Sequence, residues 1–111
     1  MAYDEGRADI LRDALTDLDG IEEKRMFGGV AFMWEGHMLC GVHSGGAMVR
    51  VGKDRHDAAL QIEGCTHLAM GGRPMGGMVD VSDDALADEA RLEQLLVLAK
   101  ANVESLPPRS R

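Results

Sequence analysis

The chain has 111 residues, of which 45% are hydrophobic and 28% are charged, and its formal net charge is −7. This length and composition are typical of one globular domain with a single core, and they exclude a disordered chain. Acidic residues concentrate toward both ends, whereas the middle of the sequence is near neutral. We therefore do not expect direct nucleic-acid binding, because neutralising phosphates requires clustered Lys and Arg.

The sequence lacks the marks of export or membrane insertion. No apolar run approaches the roughly 20 residues of a membrane span, and the N-terminus has neither a basic start nor an apolar signal core. These features predict a cytoplasmic protein with no membrane partner. Cys40 and Cys65 form no CxxC pair, and we expect both to be reduced and mostly buried. Residues 1–111 are expected to form a single domain, with 107–111 as a loose tail.

Apolar residues at helical spacing predict three helices. The first, at about residues 4–18, has leucines at i, i+4 and i+7 and begins with acidic residues that favour a helix N-terminus. A short second helix is predicted at 54–61, before Gly64. Ser82 is predicted to be the N-cap of the last helix, which continues to about Ser105.

A two-residue alternation of apolar side chains begins after the first helix and indicates strands. Glu35-Gly36 is typical of a hairpin turn, because glycine accepts the positive φ that such turns require. Residues 69–77, with four glycines and Pro74, are predicted to be a loop that leads into a final strand. The predicted strands lie at about residues 24–27, 30–34, 37–42, 47–51 and 78–81.

This order of elements predicts an α+β fold. Tight hairpin turns join antiparallel strands and leave no room for the crossovers of a parallel sheet. The apolar stripes of the N- and C-terminal helices must be buried, and one face of the sheet is the natural place. We expect a two-layer sandwich, in which both terminal helices pack on a mostly antiparallel sheet of about five strands.

Two stretches of the sequence resemble the TfoX N-terminal domain family. EKRMFGGVAFMWEGHMLCGV is similar to its signature, an R/K-MFGG segment followed by a strand, a Gly hairpin and a second strand. The stretch from MGGRPMGGMVDV to SLPP resembles its single-domain members, although those often have a basic or polar residue and an aromatic where this chain has Gly76-Gly77-Met78. The resemblance covers nearly the whole chain.

The resemblance implies a fold and, more coarsely, a role. The fold is a two-layer α/β sandwich similar to the secretion-chaperone-like folds. The family is named for a bacterial regulator of natural competence, which has a second, C-terminal domain. This chain ends at Arg111, so we expect it to lack that domain. The family supplies no set of catalytic residues to place on this sequence.

Three basic residues of the middle region are candidates for a ligand site. Arg25, Arg50 and Arg73 precede or follow glycine-rich turns. If they converge, their guanidinium groups and the backbone amides of the turns would bind a small anion. The alternative is that they are solvated, or that they pair with the acidic helices.

Three methionines are candidates for an interaction surface. Met33, Met38 and Met48 fall on predicted strands, and methionine suits adaptable binding surfaces. A sheet with helices on one side leaves its other face for a partner chain. Ordinary core packing explains these methionines equally well.

Neither a catalytic group nor a metal site is expected. Cys40 is three residues from both His37 and His43, and strict strand alternation would place it on the face opposite both. Soft metal ligands occur together in the later sequence but match no ligand motif. They are Cys65, His67, Met70, Met75 and Met78.

The sequence therefore predicts a non-enzymatic bacterial regulatory or protein-interaction domain without a cofactor, acting through a protein partner or as a homodimer. The alternative is a sensor of small anionic ligands, or an enzyme acting on them, that uses basic residues at glycine-rich loops.

Overall fold

The computed structural model describes residues 4–26, 28–70 and 73–106. Its α-helices are α1 Glu5–Ala14, α2 His56–Leu60, α3 Asp83–Ala87 and α4 Glu89–Glu104, and a short 3₁₀ helix, Lys53–Arg55, precedes α2. Its strands are β1 Glu22–Met26, β2 Gly29–Trp34, β3 His37–His43, β4 Gly46–Arg50, β5 Cys65–Met70 and β6 Arg73–Val81.

The six described strands form one sheet in the order β1-β2-β3-β4-β6-β5, and all neighbouring strands are antiparallel. The structure thus confirms the α+β fold and the mostly antiparallel sheet, with one strand more than predicted. The predicted tail, residues 107–111, lies outside the described residues.

The helices pack on one face of the sheet. One row of paired residues runs across that face through Phe32, Cys40, Val49 and Val79. All four side chains are fully buried, and they share a core with residues from α1, α2, α3 and α4. The terminal helices therefore bury their apolar stripes as predicted, and they leave the opposite sheet face without a helix from the described residues.

Helix α1 begins where its local chemistry predicts. The Asp4 carboxylate accepts the N–H groups of Gly6 at 2.7 Å and Arg7 at 3.4 Å, so it caps two otherwise unpaired donors. Ala8 and Leu11 then pack into the core. The regular helix ends at Ala14, four residues before the predicted end, and the chain continues in turns.

The prediction of a loop at residues 69–77 was wrong for residues 69–70 and 73–77, whereas residues 71–72 lie outside the described residues. Residues 69–70 end β5 and residues 73–77 begin β6, and Pro74 pairs with Ala69 in the part of β6 that extends beyond β4. Gly76 and Gly77 lie where the pairing of these two strands is irregular. Gly77 has φ +85°, and its carbonyl accepts the N–H groups of Val51 and Gly52. Long-range pairing has overridden the low strand propensity of Gly and Pro.

The predicted last helix is divided into two helices. Ser82 caps α3 as expected, because its hydroxyl accepts the N–H of Ala85. The chain then leaves helical geometry at Asp88, whose carboxylate accepts the N–H groups of Ala90 and Arg91 and starts α4. A second capping side chain therefore interrupts the helix.

Candidate functional site

The sheet face opposite the helices is the candidate site. We call it the methionine face and define it by Ala31, Met33, Met38, Met48 and Met78. The strand register places these residues on the side opposite Phe32 and the core row. None of the five belongs to the core that packs against the helices. Met33, Met38 and Met48 are half-buried, so they present apolar surface on a face that no described helix covers.

The methionine side chains meet above a glycine. Gly41 pairs with Ala31 on one side and with Met48 on the other. A Cβ atom built at Gly41 would lie 3.2 Å from the Cε atoms of both Met38 and Met48. The two methyl groups thus occupy the space that a larger residue would need. The centre of the methionine face is accordingly apolar and deformable.

Polar residues border this face on two sides. On β1, Glu22 and Lys24 pair with Met33 and Ala31. His43 and Asp80 lie at the other border. His43 Nε2 is 3.1 Å from Asp80 Oδ1, and the N–H of Gly45 donates to His43 Nδ1 at 3.0 Å. Since Nδ1 accepts a hydrogen bond, Nε2 carries the ring proton and donates it to the carboxylate. Both nitrogens are engaged, and the ring has no lone pair available to take a proton from a substrate. This His–Asp pair therefore acts as a structural contact.

The three predicted ligand-binding arginines do not share one face. Arg25 pairs with Val30 in a row that continues to the core-facing Val42. Arg50 pairs with Met78 and therefore lies on the methionine face. Arg73 begins β6 at the far end of the hairpin, and its side chain lies outside the part of the chain that is described. The two arginines whose side chains are described, Arg25 and Arg50, lie on opposite faces of the sheet.

A bulge changes the relation between Cys40 and His37. Cys40 pairs with Phe32 and Met38 pairs with Met33, so Leu39 is an extra residue in β3. His37 and Cys40 consequently lie on the same sheet face, contrary to the prediction from strict alternation. Cys40 is nevertheless fully buried, and burial raises the pKa of its thiol far above the ordinary value. A thiolate nucleophile is disfavoured there.

The soft metal ligands are divided between the two faces. Cys65 and His67 pair with core-facing residues of β6, whereas Met78 lies on the methionine face. The side chains of Met70 and Met75 lie outside the described residues. Among the residues described, no three His, Cys, Asp or Glu side chains lie close enough to hold a metal ion. In the same residues, no helix is long and apolar enough to cross a membrane.

The paired glycines of the RMFGG segment have distinct structural roles. Gly28 has φ +76° and makes the turn between β1 and β2, which few other residues would tolerate. A Cβ atom at Gly29 would lie 2.0 Å from the carbonyl oxygen of Val42 on β3. Gly29 therefore allows β2 and β3 to approach each other. The TfoX N-terminal domain family matches residues 13–102, which include this segment and all six strands.

The chain belongs to the TfoX N-terminal domain family. Its family membership confirms the resemblance seen in the sequence. Comparison with curated proteins and with solved structures gave no significant match. The assignment of the methionine face as the candidate site of this TfoX N-terminal domain therefore rests on the geometry of the chain alone.

Sequence reasoning selected three methionines of the face but missed its other members. Ala31 and Met78 are largely buried within the face, at 0% and 8% exposure. The alternation of apolar residues around Phe32 contained a signal for Ala31. Met78 lies in the predicted strand at 78–81, but the face on which it lies is defined by the pairing of β6 with β4, which the sequence does not reveal.

Proposed function

We propose that this chain is a bacterial, cytoplasmic regulatory domain without enzymatic activity that acts through protein–protein contact, and that it forms a homodimer through the methionine face. The observation that carries this proposal is the apolar surface around Met33, Met38 and Met48 on a sheet face that no described helix covers. A two-layer fold exposes such a face unless another chain pairs with it.

The chemistry of the face favours a macromolecular partner over a substrate. Small residues, Gly41 and Ala31, lie at its centre, and methionine methyl groups fill the space above Gly41, whereas sites for small molecules are usually concave. Methionine side chains adapt to an opposing surface at little cost in packing. A second copy related by a two-fold axis would place methionines against methionines without bringing like charges together at the centre.

The alternative is a small anionic ligand bound at the glycine-rich turns. Arg25 and Arg50 lie on opposite faces of the sheet, which argues against a pocket that both would line. Support for this alternative would be thermal stabilisation by phosphate or a small carboxylate that the substitution Arg73→Ala abolishes.

Light scattering across a dilution series tests the homodimer. We expect a dimer mass for the native chain and a monomer mass for Met48→Lys, because the new charge would be buried between two apolar faces. Met48 pairs with Asp80, so the lysine has a carboxylate nearby in the monomer and the fold should survive. Val97→Lys is the matched control, since Val97 is 52% exposed on α4.

Two results would contradict the homodimer. One is a monomer mass for the native chain at every concentration. The other is dissociation by Val97→Lys together with a dimer that persists in Met48→Lys, which would move the interface to the helices. Hydrogen exchange locates the interface. As the protein concentration rises, the backbone amides of β2, β3 and β4 should exchange more slowly, and those of α4 should not change.

A further inference from the structure

A groove of about 700 Å³ lies on the helical side of the molecule, between α1 and its following turn on one side and α3 and α4 on the other. Its floor is apolar, and it includes Leu15, Leu86, Leu92 and Leu96. Ile10, at 38% exposure, is one of only two large apolar side chains that the described residues expose. The groove therefore offers apolar surface at its base and along one wall.

The rim of the groove is acidic. Asp13, Asp17, Glu89 and Glu93 line it, and we call this surface the acidic groove. None of the four makes a salt bridge within the described residues. Lys100 is the single basic residue among the lining side chains. The rim thus has an excess of unneutralised negative charge over an apolar floor.

The nearby arginines are already engaged elsewhere. Arg7 donates to Asp83 through Nε at 2.8 Å and Nη2 at 3.1 Å, which ties α1 to α3. Arg12 pairs with Glu23 on β1, and Arg91 pairs with Glu63. These contacts hold the walls in place and leave the rim carboxylates for an external cation.

We propose that the acidic groove binds an amphipathic segment of a partner protein, with apolar side chains of the segment on the groove floor and its Lys or Arg side chains paired with the rim. Charge complementarity selects this occupant. Docking an amphipathic helix into an apolar groove is a recurring mode of recognition, and flanking charges set its specificity and association rate.

The same charges argue against other occupants. A second copy presenting this groove in a two-fold contact would bring the rim carboxylates against each other. Nucleic acid and anionic lipid surfaces would be repelled by the rim. The groove is also separate from the methionine face, so this inference does not depend on the proposed homodimer.

A synthetic peptide tests the occupant directly. The probe is a blocked peptide of Lys and Leu, about 14 residues or four helical turns long, with leucines at i, i+3, i+4 and i+7. Its control has the same composition with the leucine spacing broken. Amide shifts of the isotope-labelled full chain locate the contact, and a titration gives the dissociation constant. We expect saturable binding of the first peptide, shifts concentrated in residues 10–18 and 86–100, and weaker binding at high salt.

Paired variants separate groove binding from general attraction to an acidic protein. The double substitution Asp17→Lys with Glu93→Lys reverses two rim charges, and we expect it to weaken binding on the order of tenfold or more. Glu35→Lys with Glu104→Lys makes the same change in net charge at exposed residues outside the groove. This control should stay within about twofold of the native chain, because neither residue lines the groove and exposed charges are screened by salt.

A third variant examines the apolar contact. Ile10→Ser leaves the charge unchanged and alters a residue that is already partly exposed, so it should weaken binding while preserving the salt dependence. The inference is overturned by equal losses in the two double variants, by equal binding of the two peptides, or by no saturable binding. Shifts confined to other surfaces would also overturn it. The thermal midpoint of each variant establishes that it is folded.

Discussion

At the scale of single residues, the shape of the sheet depends on space that only glycine leaves. Gly29 does not need a positive φ, so its conformation alone would permit another residue. The constraint on Gly29 is steric. The carbonyl oxygen of Val42 on β3 lies where the Cβ atom of any other residue at position 29 would be. Such a constraint is invisible in the sequence, because it arises from Val42, thirteen positions away on another strand.

Gly29→Ala should therefore destabilise the fold strongly. A Cβ atom 2.0 Å from the Val42 oxygen cannot be accommodated without separating β2 from β3. We expect a loss of about 2–4 kcal/mol in the free energy of unfolding, measured by urea denaturation. The control is Gly45→Ala, whose Cβ would lie 3.5 Å from the His43 ring, an ordinary contact. It should change stability by no more than about 0.5 kcal/mol; equal effects of the two substitutions would refute this account of Gly29.

The sheet face on which a side chain lies was predictable only where its own strand contains no extra residue. Alternation correctly separated Met33 from Phe32, because the extra residue of the bulge opposite these two positions lies on β3 and not on β2. It failed for His37 and Cys40, because the extra residue Leu39 shifts β3 by one position. The position of a bulge depends on the pairing of two strands, and the local alternation of apolar residues does not contain that information.

At the scale of elements, an ion pair joins α1 to the edge strand β1. Arg12 Nε lies 2.6 Å from Glu23 Oε2, and Nη1 and Nη2 make further contacts with Asp9 and Glu23. The hydrogen bond from Arg12 lowers the pKa of Glu23 and raises that of Arg12. The pair is partly exposed, so its effect on stability is modest.

The pair should give stability that depends on pH. A carboxyl with a lowered pKa in the folded state stabilises the fold above its unfolded pKa, and that stability is lost as the pH falls through the folded pKa. Glu23→Gln should therefore cost up to about 1 kcal/mol at neutral pH and nothing at a pH below the folded pKa. Denaturation at several pH values measures the difference. Asp13→Asn, which removes an unpaired carboxylate from the same helix, is expected to cause no loss; a constant deficit for Glu23→Gln at all pH values would refute the linkage.

Helix starts were easier to predict than the long hairpin. Ser82 acts within three residues of its own position, so its capping is a local property that the sequence reveals, whereas the cap Asp88 that starts α4 was not predicted. The strand β5 has no such signal, because Gly and Pro follow it and its partner is defined by pairing with β4. The prediction of the interaction face lacked Met78 because that residue's face depends on the same strand pairing. The acidic groove is lined by residues from both ends of the chain, and the sequence analysis did not predict it.

At the scale of the whole molecule, Cys40 is a natural reporter of global opening. It lies fully buried in the central row of the sheet, and the raised pKa of its thiol leaves little reactive thiolate. In a Cys65→Ala variant, an aromatic disulfide reagent should label Cys40 only when the sheet opens. Its labelling rate should rise with urea in proportion to the unfolded fraction. Labelling much faster than that fraction allows would reveal a local opening of β3 and refute a single cooperative core.

The two-layer architecture places the methionine face and the acidic groove on different layers. A dimer formed through the sheets would therefore carry two grooves, one on each helical layer. A partner with two basic segments would then bind the second groove at a high effective concentration, and its overall avidity could exceed the affinity of one segment by about 10²–10⁴-fold. Dilution of the domain would weaken the partner complex even though no groove residue had changed, so that the concentration of the domain would itself act as a control on the partner.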